Sequence, residues 1–133
     1  MEIYTDGSCK VHTTQEGVWA FVVVVDDDIV YSKHGTKQNT TNNQMEMEAL
    51  KQALDYSRDF PERDITIYSD SQYCVKGYNI WSESWVKKDF QGIANSDLWR
   101  EINSIPTLVE VEWIRGHDGN KWNEYVDQMT RQY

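Results

Sequence analysis

Met1-Glu2-Ile3-Tyr4-Thr5-Asp6-Gly7-Ser8-Cys9 opens the chain, and its reading decides the fold. Ile3 and Tyr4 favour extended backbone, and the short alternation reads as a strand. Asp6-Gly7-Ser8 is expected to end it, because Gly7 permits a sharp change of direction. Asp6 then stands where a strand runs out, on backbone held rigid by a sheet. Asp-Gly is also the composition of an ordinary turn. Asp6 therefore acquires meaning only from partners elsewhere in the chain.

Outward from this stretch, residues 10–16 are polar and read as a loop. Val18 to Val25 is β-branched and aromatic, so it reads as a second strand buried on both faces. Asp26-Asp27-Asp28 reads as a solvated hairpin tip, because consecutive side chains in a turn diverge. Ile29 to Gly35 returns as a third strand, and the short connections make the three an antiparallel meander. Thr40-Thr41-Asn42-Asn43 supplies helix caps. Met45, Met47, Ala49, Leu50, Ala53, Leu54 and Ser57 then suit a helix that ends before Pro61. Glu46 is expected in its first turn; Glu48, two residues on, faces another way and reads as a helix-dipole carboxylate.

Asp64 to Ser69 reads as a fourth strand running into Asp70-Ser71-Gln72, which repeats the design of the first. The strand–helix alternation that follows makes it parallel to strand one. Asp6 and Asp70 then lie side by side at the carboxyl edge, where open sheets bind ligands. A helix is expected from Ser71 to about Tyr78. Trp81 and Trp85 mark one face of a further helical stretch ending near Asp89. Ser96-Asp97 is expected to cap a helix through about Ile105, closed by Pro106. Leu108 to Arg115 alternates as a fifth strand, Gly116-His117-Asp118-Gly119 is a loop, and Asn120 to Tyr133 reads as a final helix. That helix carries Asp127, with Tyr125, Met129 and Val126 as its inward candidates.

A chain of 133 residues is read as one domain, residues 1–133, large enough to bury a core. The longest apolar run, Val18 to Val25, is too short to span a bilayer, and Asp6 interrupts any leader sequence. Cys9 and Cys74 lack metal-type spacing and read as free thiols of a reducing compartment. The net charge of −9 suits a site that gathers carboxylates around hard cations. It argues against a nucleic-acid partner, which usually meets a basic surface.

Thr5-Asp6-Gly7-Ser8, Thr41-Asn42-Asn43-Gln44-Met45-Glu46, Ser69-Asp70-Ser71-Gln72, Trp113-Ile114-Arg115-Gly116-His117 and Asn123-Glu124 leading to Asp127 together resemble type 1 ribonuclease H. The motifs occur in that family's order across almost the whole chain. The resemblance implies an α/β fold: a five-stranded mixed sheet in the order 3-2-1-4-5, flanked by helices on both faces. It implies hydrolysis of the RNA strand of an RNA–DNA hybrid, leaving 5′-phosphate and 3′-hydroxyl ends. Asp6, Glu46, Asp70 and Asp127 match the family's four metal-binding carboxylates, and His117 matches its loop histidine. The implied cofactors are two Mg²⁺ ions, with Mn²⁺ as the alternative. In-line attack on a phosphodiester builds charge on the entering and leaving oxygens, and two ions roughly 4 Å apart can clamp both. A histidine can serve proton transfer or product release without being a ligand.

By the same resemblance, Cys9, Asn42, Asn43 and Gln72 would contact the hybrid, where amide groups can sense the 2′-hydroxyl. Thr41 and Asn95 match positions that hold a DNA phosphate. Trp81 would pack on DNA sugars, or else serves the core between sheet and helices. Lys87 and Lys88 are the basic residues of a short protrusion and the candidate phosphate contacts there. The chain departs from the family in three places. Residues 10–16 lack a Gly/Pro-rich turn, Asn39 stands where an Arg is expected beside Thr41, and Gln91-Gly92-Ile93-Ala94 carries no Lys or Arg. The expectation is a monomeric cytoplasmic enzyme with no membrane partner and no small-molecule cofactor. The alternatives are an exonuclease of the same fold and a non-catalytic nucleic-acid-binding relic. The Glu46 helix motif and the His117-to-Asp127 spacing argue against the first, and the presence of all four carboxylates against the second.

Overall fold

A computed structural model describes residues 1–10 and 16–132. Its strands β1 (Glu2–Lys10), β2 (Glu16–Val25), β3 (Asp28–Lys37), β4 (Thr66–Ser69) and β5 (Glu110–Trp113) form one sheet in the order β3-β2-β1-β4-β5. β1–β2 and β2–β3 are antiparallel, whereas β1–β4 and β4–β5 are parallel. This is the architecture that the strand pattern and the resemblance implied. The helices are α1 (Asn42–Ser57), α2 (Gln72–Lys76), α3 (Ser82–Lys87), α4 (Ser96–Ser104) and α5 (Lys121–Gln132).

Strand periodicity divides the core in two. Ile3, Phe21, Val23, Ile67 and Val111 face α1 and α4, where they pack with Met45, Leu50, Leu54, Trp99 and Ile102. Tyr4, Val22 and Val24 face the other way and pack with Val126 of α5. β2 is therefore buried on both faces, as its unbroken apolar run requires. The β2–β3 hairpin turns through Asp26 and Asp27 at φ 52° and 62°. Two successive left-handed residues make the turn whose twist matches that of the strands. The tip is exposed but not merely solvated. The Trp122 indole donates to Asp27 Oδ1 at 3.3 Å, and Lys121 Nζ lies 3.8 Å from Asp27 Oδ2, so the tip also pins the start of α5.

Several boundaries differ from the sequence expectation. β1 does not stop at Asp6. It continues through Gly7 to Lys10, paired with β2 down to Lys10↔Glu16. The expected loop over residues 10–16 thus begins and ends in strand, and positions 11–15 lie outside the described residues, as does Tyr133. Thr41 is the α1 cap, accepting from the Gln44 N–H at 3.1 Å, so Glu46 falls beyond the first turn. The two helical stretches around Gly77 are one path. α2 passes through a π-helical turn (Gly77–Trp81) into α3. Asn95, not Ser96-Asp97, occupies the cap position of α4, in the left-handed region at φ 57°. On α5 it is Val126 that is fully buried, while Tyr125 is 44% exposed. The phase of that helix is one residue from the simplest reading.

Candidate active site

The parallel ladder between β1 and β4 ends at Thr5↔Ser69, so the next residues, Asp6 and Asp70, stand side by side. Asp6 has the parity of Tyr4 and points to the α5 face. Gly7 points to the α1 face, and that is why it must be glycine. A Cβ there would run into the backbone of Met45 and Glu46. Its φ is not left-handed. The requirement is close approach, which lets α1 lie on β1 and deliver Glu46. One carboxylate oxygen each from Asp6, Glu46 and Asp70 falls within 4.8 Å of the others.

Asp70 is fixed from behind. The Trp113 indole donates to its carbonyl at 3.1 Å, and the loop after β5 passes so close that a Cβ on Gly116 would sit 2.7 Å from Asp70 Oδ2. Asp127 is not part of the three-carboxylate group among the described residues. It stands on the α5 side of Asp6, close enough for its charge to act on Asp6, and its Oδ2 is 3.2 Å from Arg131 Nε one turn on. His117 is exposed in the adjoining turn at φ 56° and is not brought into the cluster.

Burial, then the charges of Asp70 and Asp127, pushes the Asp6 carboxyl up to about 7, partly offset by a hydrogen bond from Thr130. Burial and the charges of Asp6 and Asp70 hold Glu46 well above the usual carboxylate range. Glu46 Oε1 is buried with no hydrogen-bond partner among the described residues. A buried carboxylate oxygen left unpaired is costly, and a hard divalent cation is the partner that oxygen donors of this kind accept. The residues present therefore fit a divalent metal ion.

The repulsion has a measurable sign. A folded carboxyl raised from 3.8 to about 7 holds its proton where the unfolded chain has lost it. Stability thus falls as pH rises from about 4 through about 7. The melting temperature of the metal-free protein is expected to decline over that range, with Asp6→Asn flattening the decline. Divalent metal, bound by the ionised folded state, is expected to restore stability at the upper end. Thermal denaturation across pH, in chelator and in magnesium, checks both; a metal-free melting temperature that rises through this range contradicts the clustering.

Around the carboxylates, the candidate substrate residues divide. Asn42 is exposed at the start of α1 and its Oδ1 accepts the Cys9 N–H at 2.6 Å, while the Cys9 thiol donates to the Thr40 carbonyl at 3.3 Å. Asn43 and Gln72 are exposed at the starts of α1 and α2. Thr41 and Asn95 are linked through Gln44, a residue given no role by sequence reasoning. The Gln44 backbone N–H donates to Thr41 Oγ1 at 3.1 Å, and its side-chain amide donates to Asn95 Oδ1 at 3.1 Å. Asn95 in turn donates to the Tyr73 hydroxyl at 3.3 Å, which also accepts the Trp99 indole at 3.0 Å.

Trp81 is 38% exposed and backed by Tyr73 and Trp85, with ring centroids at 6.4 and 5.9 Å. It is neither wholly core nor free, and presents an edge of the aromatic row to solvent. Lys87 lies 3.8 Å from Glu83 one turn back, and Lys88 is the C-cap that follows α3; both are exposed. Arg100 is engaged elsewhere, on Asp89 at 2.7 Å and over the Phe90 ring at 5.1 Å, folding the protrusion back.

A mixed sheet flanked by helices, with carboxylates converging at the end of its central parallel strands, defines an α/β protein able to hold divalent cations by oxygen. The family model for RNase H matches residues 1–133. The chain is 38% identical to a ribonuclease H of Helicobacter pylori (strain HPAG1), over 98% of this chain and 90% of that one. It is 36% identical to a ribonuclease H of Campylobacter jejuni (strain RM1221), over 99% and 89%. The chain belongs to the ribonuclease H family, and to its type 1 branch. Its fold superposes on LC9-RNase H1, a type 1 RNase H with the type 2 active-site motif, with a TM-score of 0.83 at 24% identity over 98% of this chain and 70% of that one. A foamy viral protease-reverse transcriptase in complex with RNA/DNA hybrid gives 0.88 at 15% identity, over 98% of this chain and 19% of that one.

Proposed function

We propose that this chain cleaves the RNA strand of RNA–DNA hybrids at internal phosphodiester bonds with two divalent ions, leaving 5′-phosphate and 3′-hydroxyl ends. Ribonuclease H activity follows from the family; the observation that carries its metal dependence is the meeting of Asp6, Glu46 and Asp70 within 4.8 Å around a buried, unpaired Glu46 oxygen. Asp6, Glu46 and Asp70 would hold one ion, and Asp6 with Asp127 the other. Bound magnesium or manganese supplies charge stabilisation at the entering and leaving oxygens and a more acidic attacking water. The chain's own contribution is positional. β1 and β4 fix two carboxylates on sheet backbone, and the α1–β1 contact at Gly7 sets the third.

His117, exposed on the loop whose Gly116 passes Asp70, would move a proton or assist product release. His117→Ala is expected to lower kcat by about 10- to 1000-fold with KM little changed; steady-state kinetics separates this from a binding role, in which KM rises and kcat holds. Cys9, Asn42, Asn43 and Gln72 would read the hybrid's sugar edges. Thr41 and Asn95 would seat a DNA phosphate, and Trp81 would pack on a sugar. Lys87 and Lys88, both exposed, would meet phosphate, and because such contacts are few the salt dependence is expected to be shallow. The protein would act as a single-domain monomer in the cytoplasm, and no helix among the described residues is long and apolar enough to cross a membrane. End-labelled hybrid, double-stranded DNA and single-stranded DNA, each incubated with and without magnesium, test this reading. Cleavage confined to the RNA of the hybrid and dependent on metal supports it; digestion of single-stranded DNA from an end contradicts it.

A further inference from the structure

Thr130 is 1% exposed on α5, three residues beyond Asp127. Its Oγ1 lies 3.1 Å from Asp6 Oδ2 and 2.7 Å from the backbone carbonyl of Asp127. A hydroxyl has one proton to give, and an ionised carboxylate is the stronger acceptor. The carbonyl one turn back would satisfy this hydroxyl unaided, so the approach to Asp6 is not needed to keep Thr130 paired. Nor is it needed for packing. Val126, one turn earlier on the same face, is fully buried, so this face of α5 accepts an apolar β-branched side chain.

We propose that Thr130 is a positioning residue for the metal centre: its hydroxyl pins Asp6 Oδ2 and so sets the plane of that carboxylate. The inference rests on the metal-dependent reading above. The terminal torsion of an Asp side chain is broad and roughly two-fold, whereas magnesium demands near-ideal octahedral geometry. A carboxylate with one oxygen held has the direction of its other oxygen decided before the ion arrives. The same hydroxyl ties β1, which carries Asp6, to α5, which carries Asp127, and so fixes the spacing of the two.

The test is magnesium binding, measured calorimetrically and by the metal-induced rise in melting temperature, on wild type, Thr130→Val and Thr130→Ser. Removing a partner that orients a metal ligand typically costs about 10- to 100-fold in affinity. Thr130→Val is therefore expected to bind magnesium about 10-fold more weakly, with cleavage recovering at high magnesium and KM for the hybrid unchanged. Thr130→Ser, which keeps the hydroxyl, is expected to bind as wild type does. If Val fails to fold there, Thr130→Ala is expected to give the same weakening. Unchanged affinity in the Val or Ala variant overturns the inference while the metal reading stands. So does a Ser variant as weak as Val, because the methyl group's packing would then be responsible. A wild type with no magnesium response overturns the metal reading, and this inference with it.

Discussion

Asp70→Asn is expected to leave the protein folded and to lower hybrid cleavage by about a thousandfold or more. The substitution is isosteric, and what holds residue 70 in place is its backbone: the Trp113 indole on its carbonyl, and the turn that follows Ser69↔Thr5 at the end of the parallel ladder. None of these contacts needs the carboxylate. The carboxylate's neighbours are Asp6 and Glu46, two further acidic groups. Losing its charge relieves repulsion in the metal-free state, so the apo protein is expected to melt higher, not lower. A neutral amide oxygen is a poorer ligand for a hard dication, and activity falls while stability rises. Circular dichroism and steady-state kinetics on one preparation check the pair of effects; a variant retaining a tenth of wild-type activity contradicts the role given to Asp70.

Gly7→Ala is expected to do the converse damage, from a residue with no chemistry of its own. A Cβ at position 7 meets the main chain of Met45 and Glu46, not a flexible side chain. α1 has to move off β1, and Glu46 moves with it. Overpacking of this kind costs about 1–3 kcal/mol or more, a fall in melting temperature of about 5–15 °C for a domain of this size. Catalysis suffers further, because a misplacement of about 1 Å is enough to cost about 100-fold. Turnover measured well below the new melting temperature is therefore expected to drop at least about 100-fold. Were Gly7 only a turn former, alanine would disturb the chain locally and spare Glu46; a stable, fully active Gly7→Ala protein contradicts the close-contact account.

That glycine also marks where sequence reasoning stopped. The sheet order was legible because β1, β2 and β3 are joined by short connections and β4 returns after a helix. The adjacency of Asp6 and Asp70 then follows from two strands ending alike. Asp-Gly-Ser has the composition of a turn, however, and only a contact with residues 45 and 46 distinguishes a glycine that turns from one that makes room. Nothing local encodes such a contact. The π-helical turn at Gly77–Trp81 is hidden in the same way, since local composition reads equally well as one helix or two. Thr130 and Arg131 lie at i+3 and i+4 from Asp127, a spacing that puts them on its side of α5. That signal was present in the sequence, and it becomes meaningful once Asp127 is placed beside Asp6. Asn95 was named for a phosphate; its left-handed backbone and its link to Gln44 and Tyr73 depend on three elements meeting.

Asp6, Glu46 and Asp70, with Asp127 beside them, would form a centre for divalent ions. Anomalous diffraction from crystals of the wild-type protein grown with manganese and a non-cleavable RNA–DNA hybrid tests it most directly. The account predicts two manganese peaks roughly 4 Å apart, one among Asp6, Glu46 and Asp70 and one between Asp6 and Asp127. Hybrid bound with no peak at Asp6, or manganese held only by residues elsewhere on the surface, would contradict it.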